Sequence, residues 1–376
     1  MNLDELTLQN FRSYGKKTVA FSPETTLIVG PNTAGKTNIL EAIMFCATGK
    51  SFRADMDREA VRWGSEMSNV KCQMSNREDQ IQLELYITQG EVQGAHAPLK
   101  KYLVNGVPRR QVDFVGNLRA VLFWPEHLEL VTDSPSLRRR YLDSVLVQVD
   151  REYRRSLLSY ERGLRQRNRL LDFINEGKAN RRQLLFWDQL LIKAGGYITD
   201  KRGEYIDYVN TQAISDKKIR DKKERNFSLS YGKSVISEAR LEQYAEEEVA
   251  AKATLVGPHR DDFTIEKVIS DKQKVIRKAG DSSFLSPIAS HLSLSAYGSR
   301  GEQRLAVLWL KLAELAYIER EAQERPILLL DDIFSELDES HRELVVGLIG
   351  KQQTILTSAD RDIMGLIPKN AKFIEL

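Results

Sequence analysis

The chain has few cysteines and no long hydrophobic run. Cys46 and Cys72 are its two cysteines, too few for a disulfide framework or a cysteine-based zinc site, and this predicts a reducing, cytoplasmic location. The longest apolar stretches, such as residues 326–330, fall short of the roughly 18 residues that a membrane span requires. Asp4 and Glu5 stand where a secretory leader would be basic and then apolar. We therefore expect neither a leader nor a membrane partner.

A strong charge imbalance is also missing. Lys and Arg number 56 against 53 Asp and Glu, for a net charge of +3, which excludes a uniformly basic protein that coats nucleic acid. Five histidines show no metal-ligand spacing. Positive charge is instead local, with seven arginines over residues 151–169 and three more at 138–140. Any nucleic-acid surface must be confined to such patches.

What the chain does have is a phosphate-binding loop in the context that this loop requires. An apolar run, residues 26–29, predicts a strand, and residues 38–44 have helical periodicity. Between them stands the pattern Gly-x-x-x-x-Gly-Lys-Thr, made of Gly30, Pro31, Asn32, Thr33, Ala34, Gly35, Lys36 and Thr37. The simpler alternative is a glycine turn without chemistry, but the strand before it and the helix after it favour a P-loop.

The chemistry of such a loop predicts a nucleoside triphosphate with Mg²⁺. Backbone N–H groups converge on the phosphates, and the helix N-terminus adds about half a positive charge. Lys36 is expected to reach the β and γ phosphates, and the Thr37 hydroxyl to bind Mg²⁺. Thr33 is the unexpected residue, because a β-branched side chain tolerates positive φ poorly.

Far downstream, residues 326–330 predict a buried strand that ends in Asp331 and Asp332. With a P-loop in the chain, this pattern indicates a Walker B strand rather than a solvated acidic turn. Asp331 is predicted to hold Mg²⁺, and Asp332 to orient or deprotonate the attacking water. An aspartate there has a shorter reach than a glutamate, so we expect slow hydrolysis.

A third motif lies at 297–304, ahead of an amphipathic helix. Ser299 and Glu302 have capping-box spacing, so one interpretation is a well-capped helix and nothing more. The functional interpretation is that Ser299 and the amides beside Gly301 bind a second anion, the nucleotide of another subunit. Together with the P-loop, the Walker B strand and residues 335–338, this motif resembles the ATP-binding-cassette ATPase head, with Gln303 as the signature glutamine and Asp338 as the D-loop aspartate.

The predicted fold is therefore α/β: a cassette-type P-loop ATPase head with a mixed sheet and an inserted α-helical domain. Lys36 and Ser299 are 263 positions apart, which implies a large insertion. Apolar residues with helical spacing before and after 175–178 predict a short antiparallel helix hairpin. We assign residues 1–124 and 250–376 to the head and 125–249 to the helical arm.

Along nearly its full length, the chain resembles the RecF family of bacterial recombination mediators. The strings that carry the resemblance are 8–14, 49–53, 122–126, 135–143 and 255–262. It implies an ATP-induced homodimer that binds single-stranded DNA and single-strand/double-strand junctions. It also implies that the protein helps its partners RecO and RecR to load the recombinase. Roles in repair, replication and SOS induction follow, with a weak DNA-dependent ATPase that acts as a switch. The alternatives are another cassette ATPase of DNA metabolism, a nuclease-associated ATPase or a transporter subunit. The insertion is too large and too Arg-rich for a transporter subunit.

Further candidates are weaker. Arg12 lies in a predicted N-terminal ribbon that covers the nucleotide in related heads, so it is a candidate phosphate ligand, although a surface arginine is nearly as well supported. His259 is singled out by the resemblance and is more simply a structural residue. The candidate DNA contacts are Arg138, Arg139, Arg154, Arg155 and Arg162. The alternative is that these arginines lie on solvated helix faces, as charged helical residues more commonly do.

Overall fold

The computed structural model describes residues 2–76, 79–211, 227–269, 290–335, 337, 339–360 and 362–376. These residues form two compact units. The head unit comprises Met1–Glu126, Val147–Arg151 and Ile318–Leu376, and the arm unit comprises His127–Leu146 and Glu152–Tyr317. The predicted Asp338 falls outside the described residues, as do residues 271–289 of the polar segment 271–295 that precedes the signature motif.

The strands are β1 Asn2–Phe11, β2 Tyr14–Ala20, β3 Thr25–Val29, β4 Met67–Ser75, β5 Gln80–Thr88, β6 Glu91–Val92, β7 Ala95–His96, β8 Lys100–Val104, β9 Val107–Arg109, β10 Ala120–Phe123, β11 Phe227–Gly232, β12 Asp262–Ile269, β13 Ser290–Ser293, β14 Ile327–Asp331, β15 Thr354–Ser358 and β16 Lys372–Glu375. The α-helices are Lys36–Thr48, Gln111–Phe114, Glu129–Thr132, Pro135–Val149, Arg151–Asn175, Leu185–Thr211, Glu238–Gln243, Ala245–Ala251, Leu294–Tyr297, Arg300–Ala322 and Glu339–Val346. Short 3-10 turns cover Asp57–Ala60, Pro125–Leu128, Arg181–Leu184, Pro258–Arg260, Ile333–Ser335 and Asp362–Leu366.

The head unit has two main sheets. One is antiparallel, in the order β2-β1-β4-β5-β8-β9, and the other is parallel, in the order β10-β14-β15-β3-β16. The residues of β3, β14 and β15 are all buried, as expected for parallel strands that are covered on both faces. The P-loop follows β3 and the Walker B carboxylates end β14, so both lie at the carboxyl edge of one sheet.

The P-loop helix, Lys36–Thr48, packs against strands of both sheets. Nearly all of its residues are buried, so the helix is covered on every side rather than on one face only. A helix held in this way has little freedom to move, and its N-terminus is fixed relative to the sheet edge.

In the arm unit, helices Arg151–Asn175 and Leu185–Thr211 run antiparallel. Arg167 pairs with Asp188 at 2.6 Å, and further from the turn Arg202 Nε lies 3.1 Å from the Tyr153 hydroxyl. At 1.5 Å per residue the helices are roughly 37 and 40 Å long. The predicted hairpin and its break near 175–178 agree with these bounds.

The unit boundary differs from the expected one at the C-terminal side. Residues 250–317 were expected in the head, but they group with the arm. The reason is that β12 pairs with β11 on one side and with β13 on the other. These three strands form one sheet, which belongs to the arm unit. Among the described residues, no helix is both long and apolar enough to cross a membrane.

Candidate nucleotide-binding site

The P-loop is held at both of its ends. The Gly30 N–H donates to the Ser358 carbonyl of β15 at 3.3 Å, and the helix begins at Lys36. Within the loop, Gly35 has φ 97° and Thr33 has φ 78°. Thr33 therefore adopts the left-handed conformation that its type disfavours, and the sequence had marked it as unexpected for this reason.

Lys36 folds back over its own loop. Its side chain is 7% exposed, and Nζ donates to the carbonyl oxygens of Gly30 at 2.7 Å and Pro31 at 3.0 Å. Both acceptors are neutral, and within the part of the chain that the structure describes no carboxylate pairs with Lys36 at the mouth of the loop. A phosphate at this mouth would meet that charge and the amides at the start of the helix.

Asp331 lies at the carboxyl end of β14, two strands from the P-loop strand. Thr357 of the intervening β15 donates from Oγ1 to Asp331 Oδ1 at 2.6 Å. The next residue, Asp332, has φ 48°, and its N–H lies 3.2 Å from both Thr357 O and Thr357 Oγ1. Thr357 thus fixes both Walker B positions.

The Asp331 side chain fits the role of a Mg²⁺ ligand. It is 3% exposed, and among the described residues it has no cationic partner, although a buried carboxylate requires one. The described residues contain no group of three acidic, histidine or cysteine side chains that would enclose an ion. Mg²⁺ takes one or two protein ligands and completes its shell with phosphate oxygens and water, so Thr37 and Asp331 would be the residues that hold it.

Arg12 belongs to a buried ion cluster beside the P-loop helix. Its Nε and Nη2 lie 2.9 and 2.5 Å from the carboxylate oxygens of Glu41, which is fully buried. Arg53 Nε lies 2.9 Å from the same carboxylate, and Ser51 Oγ donates to it at 2.6 Å. Arg12 would have to leave Glu41 to reach a phosphate, so its role as a phosphate ligand stays a prediction.

Tyr14 joins the N-terminal hairpin to the loop. Its hydroxyl donates to the Ala34 carbonyl at 3.2 Å. Burial raises the pKa of Tyr14 above its ordinary value, which keeps the hydroxyl protonated and able to donate. The turn between β1 and β2 is thereby attached to the P-loop.

The signature segment lies in the arm unit and has the predicted capping box. The Ser299 N–H donates to Glu302 at 2.9 Å, and the Glu302 N–H lies 3.3 Å from Ser299 Oγ. Lys267, which pairs with Glu302, and the Ser299 amide hold the pKa of Glu302 below its usual range. Gln303 is buried and donates to the carbonyls of Leu294 and Gly298. Ser299 and Gly301 are exposed, as a site in trans requires.

Two of the candidate DNA contacts, Arg138 and Arg139, make hydrogen bonds within the arm unit. Arg138 is 8% exposed, and its Nε and Nη2 pair with the Asp262 carboxylate at 2.6 and 2.9 Å. Buried charges are held by such partners, so we withdraw Arg138 as a phosphate contact. Arg139 is half-buried and donates to the Asp261 carbonyl at 2.9 Å.

The remaining arginines lie on helix Arg151–Asn175. Arg154 is half-buried, and the exposed Arg155 pairs with Glu152 at 2.6 Å. At 100° per residue, four exposed arginines fall within about 80° of one another, opposite the buried Tyr153 and Tyr160. We call this set the arginine stripe; it consists of Arg155, Arg162, Arg165 and Arg169.

His259 has a structural role. The Tyr160 hydroxyl lies 2.8 Å from its Nδ1, and its Nε2 lies 2.9 Å from the Thr254 carbonyl. Because a carbonyl can only accept, Nε2 carries the proton and Nδ1 accepts from Tyr160. Burial lowers the pKa of His259 to about 4, so the ring is neutral near pH 7.

Sequence reasoning assigned no role to Glu41, Tyr14 or Thr357. A weak signal existed for two of them, since Glu41 is the one acidic residue of the mainly apolar helix Lys36–Thr48 and Thr357 lies in the buried β15 strand. The partners that give them their roles are distant in sequence, and no local pattern predicts such pairs.

Comparison with known proteins shows which family the chain resembles over nearly its whole length. Residues 2–373 match the family described as the RecF/RecN/SMC N-terminal domain. A DNA replication and repair protein RecF from Lachnoclostridium phytofermentans is 34% identical over 362 residues, which cover 95% of this chain and 92% of that protein. The protein of the same name from Herpetosiphon aurantiacus is 36% identical over 386 residues, with coverage of 96% and 94%.

A solved structure supports the same relationship. The structure described as the recombination mediator protein RecF-ATP in the RecFOR pathway superposes with a TM-score of 0.79 at 28% identity, covering 96% of this chain and 93% of that one. The predicted fold class, an ATPase head of the cassette type with mixed α/β structure, is confirmed by these matches.

Proposed function

The chain belongs to the RecF family within the RecF/RecN/SMC N-terminal domain group, and from this we propose that it is an ATP-dependent DNA-binding protein of recombinational repair and replication. The observation that carries the proposal is the carboxyl edge of the parallel sheet. There, Lys36 at the P-loop and the buried Asp331, which has no cationic partner among the described residues, lie at the ends of β3 and β14, with β15 between them.

In this proposal, the P-loop binds the triphosphate and the protein's own residues position it. Lys36 exchanges its carbonyl partners for phosphate oxygens, and the loop amides complete the anion site. Thr37 and Asp331 hold Mg²⁺, which neutralises phosphate charge. Asp332 orients the attacking water, and its short side chain makes hydrolysis slow, so that turnover resets a switch.

The nucleotide also closes a homodimer. Ser299 and the amides beside Gly301 lie exposed at the start of a helix, where an anion is favoured. We place the γ phosphate of a partner subunit there, so that each nucleotide is bound by the P-loop of one copy and the signature of the other.

The closed dimer binds DNA, and we place contacts at the arginine stripe. Within the described residues, Arg162 and Arg165 have no carboxylate partner, which leaves both charges available to phosphates. The preferred substrates are single strands and single-strand/double-strand junctions. The partners are RecO and RecR in recombinase loading, in the cytoplasm, with SOS induction as a consequence.

Sedimentation of the full chain with ATP and Mg²⁺ tests the gated dimer. We expect a dimer for the unchanged protein and a monomer for Lys36→Met and Ser299→Arg. Matched controls are Lys351→Met and Ser136→Arg, which change exposed residues outside both motifs and should still dimerise. A monomer under all nucleotide conditions would contradict the mechanism.

A further inference from the structure

The turn between β1 and β2 lies against the second glycine of the P-loop. A Cβ built on Gly35 would come within 2.6 Å of the Tyr14 hydroxyl oxygen, 2.8 Å of Tyr14 Cζ and 3.1 Å of Ser13 Oγ. A side chain at position 35 would therefore require the turn to shift. Gly35 also has φ 97°, a conformation that favours glycine. Two separate constraints thus require glycine at position 35, and Tyr14 supplies one of them.

Other contacts fix this turn to the P-loop helix. Asn38, which is 9% exposed, donates from Nδ2 to Ser13 Oγ at 2.9 Å. Arg12, the preceding residue of the turn, pairs with the buried Glu41 of the same helix. Because these two contacts hold the turn against the helix, the half-buried Tyr14 ring has a defined place beside the loop.

Tyr14 holds one end of a peptide group in the P-loop. Its hydroxyl donates to the Ala34 carbonyl at 3.2 Å. The peptide bond from Ala34 to Gly35 is trans, so its carbonyl and the Gly35 N–H point in opposite directions. The Gly35 N–H therefore points away from Tyr14. Within the part of the chain that the structure describes, this N–H has no acceptor, and it is available to an anion.

A P-loop binds phosphates through backbone N–H groups, and binding is tighter when these groups are oriented before the ligand arrives. We propose that Tyr14 is a positioning residue of the nucleotide site: its hydroxyl holds the Ala34 carbonyl, so that the Gly35 N–H faces the phosphates. Glycine has more conformational freedom than other residues, so this peptide group needs a partner that keeps it in place. The inference rests on the proposed nucleotide function and adds to it a residue from outside the P-loop motif.

The variant Tyr14→Phe removes the hydroxyl and leaves the ring against Gly35. We measure the dissociation constants of ATP and of inorganic tripolyphosphate, both with Mg²⁺, for the full chain. Loss of one orienting hydrogen bond predicts about three- to tenfold weaker binding. The factor should be the same for both ligands, because the Gly35 N–H faces phosphate and not the base.

Tyr86→Phe is the matched control. The Tyr86 hydroxyl makes a hydrogen bond of 3.1 Å to Glu84 within β5 of the same head unit, and this bond is not made to the P-loop. Both affinities should therefore stay unchanged in Tyr86→Phe.

A nuclear magnetic resonance spectrum distinguishes positioning of the loop from a general structural effect. Labels on the alanine carbonyl carbon and the glycine nitrogen restrict the spectrum to glycines that follow alanine, as Gly35 does. Without nucleotide, the Gly35 amide signal should shift in Tyr14→Phe, because its peptide group has lost its partner. The same signal should not shift in Tyr86→Phe.

The outcomes separate this inference from the proposed function. Equal affinities for both ligands in Tyr14→Phe and the unchanged chain would overturn the role of Tyr14 and leave the P-loop site intact. A loss confined to ATP would overturn it as well, because Tyr14 would then act on the nucleoside. Weaker binding with an unshifted Gly35 signal would also overturn it. If the unchanged chain binds neither ligand, the nucleotide function itself fails.

Discussion

Thr357 Oγ1 donates a hydrogen bond of 2.6 Å to Oδ1 of Asp331. The two residues lie on neighbouring strands, and Asp332 N–H also approaches the same threonine. One hydroxyl therefore orients the predicted Mg²⁺ ligand and restrains the residue that would position water. The Walker B carboxylates depend on a residue outside their own motif.

Thr357→Val should weaken Mg²⁺-dependent nucleotide binding about tenfold, as is typical when a ligand loses its orienting partner. Binding of nucleotide without Mg²⁺ should not change. Titrating each protein with nucleotide in the presence and in the absence of Mg²⁺ measures the two affinities. Thr354→Val is the matched control, since Thr354 is buried in the same strand and its hydroxyl donates to Gln352 instead. Equal losses in the two variants would refute the role of Thr357.

Thr33→Gly should stabilise the P-loop. Thr33 has φ 78°, and the left-handed conformation costs a side-chain-bearing residue about 1–2 kcal/mol, part of which the greater unfolded-state entropy of glycine offsets. We expect the free energy of unfolding to rise by up to about 1 kcal/mol and nucleotide affinity to increase. Gln93→Gly, at another positive φ, should raise stability without changing affinity. A lower free energy of unfolding for Thr33→Gly than for the unchanged chain would contradict the claim that Thr33 is strained.

The arginine stripe predicts the salt dependence of DNA binding. Replacing Arg162 and Arg165 with Gln removes two exposed charges, so the slope of log affinity against log salt should flatten by about 1.4–1.8. Fluorescence anisotropy over a salt series measures this slope. Lys369 and Lys372, exposed and outside the stripe, serve as the control pair when both are replaced by Gln. An unchanged slope in the arginine variant would exclude the stripe from the DNA surface.

His259 predicts a loss of stability in acid. Its pKa is lowered to about 4 by burial, whereas an unfolded chain has a histidine pKa near 6.5. Below pH 6.5 the unfolded state therefore binds the extra proton, and stability should fall by up to about 1.4 kcal/mol per pH unit until about pH 4. Above pH 6.5 this residue contributes no pH dependence.

Urea unfolding of the unchanged chain and His259→Asn at several pH values isolates this effect. Asn can accept from Tyr160 and donate to Thr254 without titrating. Its free energy of unfolding should fall less steeply between pH 6.5 and 4. Parallel curves for the two proteins would show that His259 does not titrate differently on unfolding.

Local patterns predicted the strand, loop and helix of the P-loop, the Walker B strand and the hairpin break, because each depends on neighbours in the chain. They failed where the partner is distant. Arg138 was assigned to DNA by its basic neighbours, yet Asp262, 124 positions away, neutralises it. The boundary at 250 failed for a similar reason, since β12 pairs with β11 of the arm unit. Long-range pairing of this kind has no local sequence signal.

The central claim is that ATP bound at the P-loop controls DNA binding. Affinity for a gapped duplex, measured with and without ATP and Mg²⁺ for the unchanged chain and Lys36→Met, tests it most directly. We predict that ATP tightens binding at least tenfold in the unchanged chain and has no effect on the variant. Equal affinities with and without ATP in the unchanged chain would contradict the account.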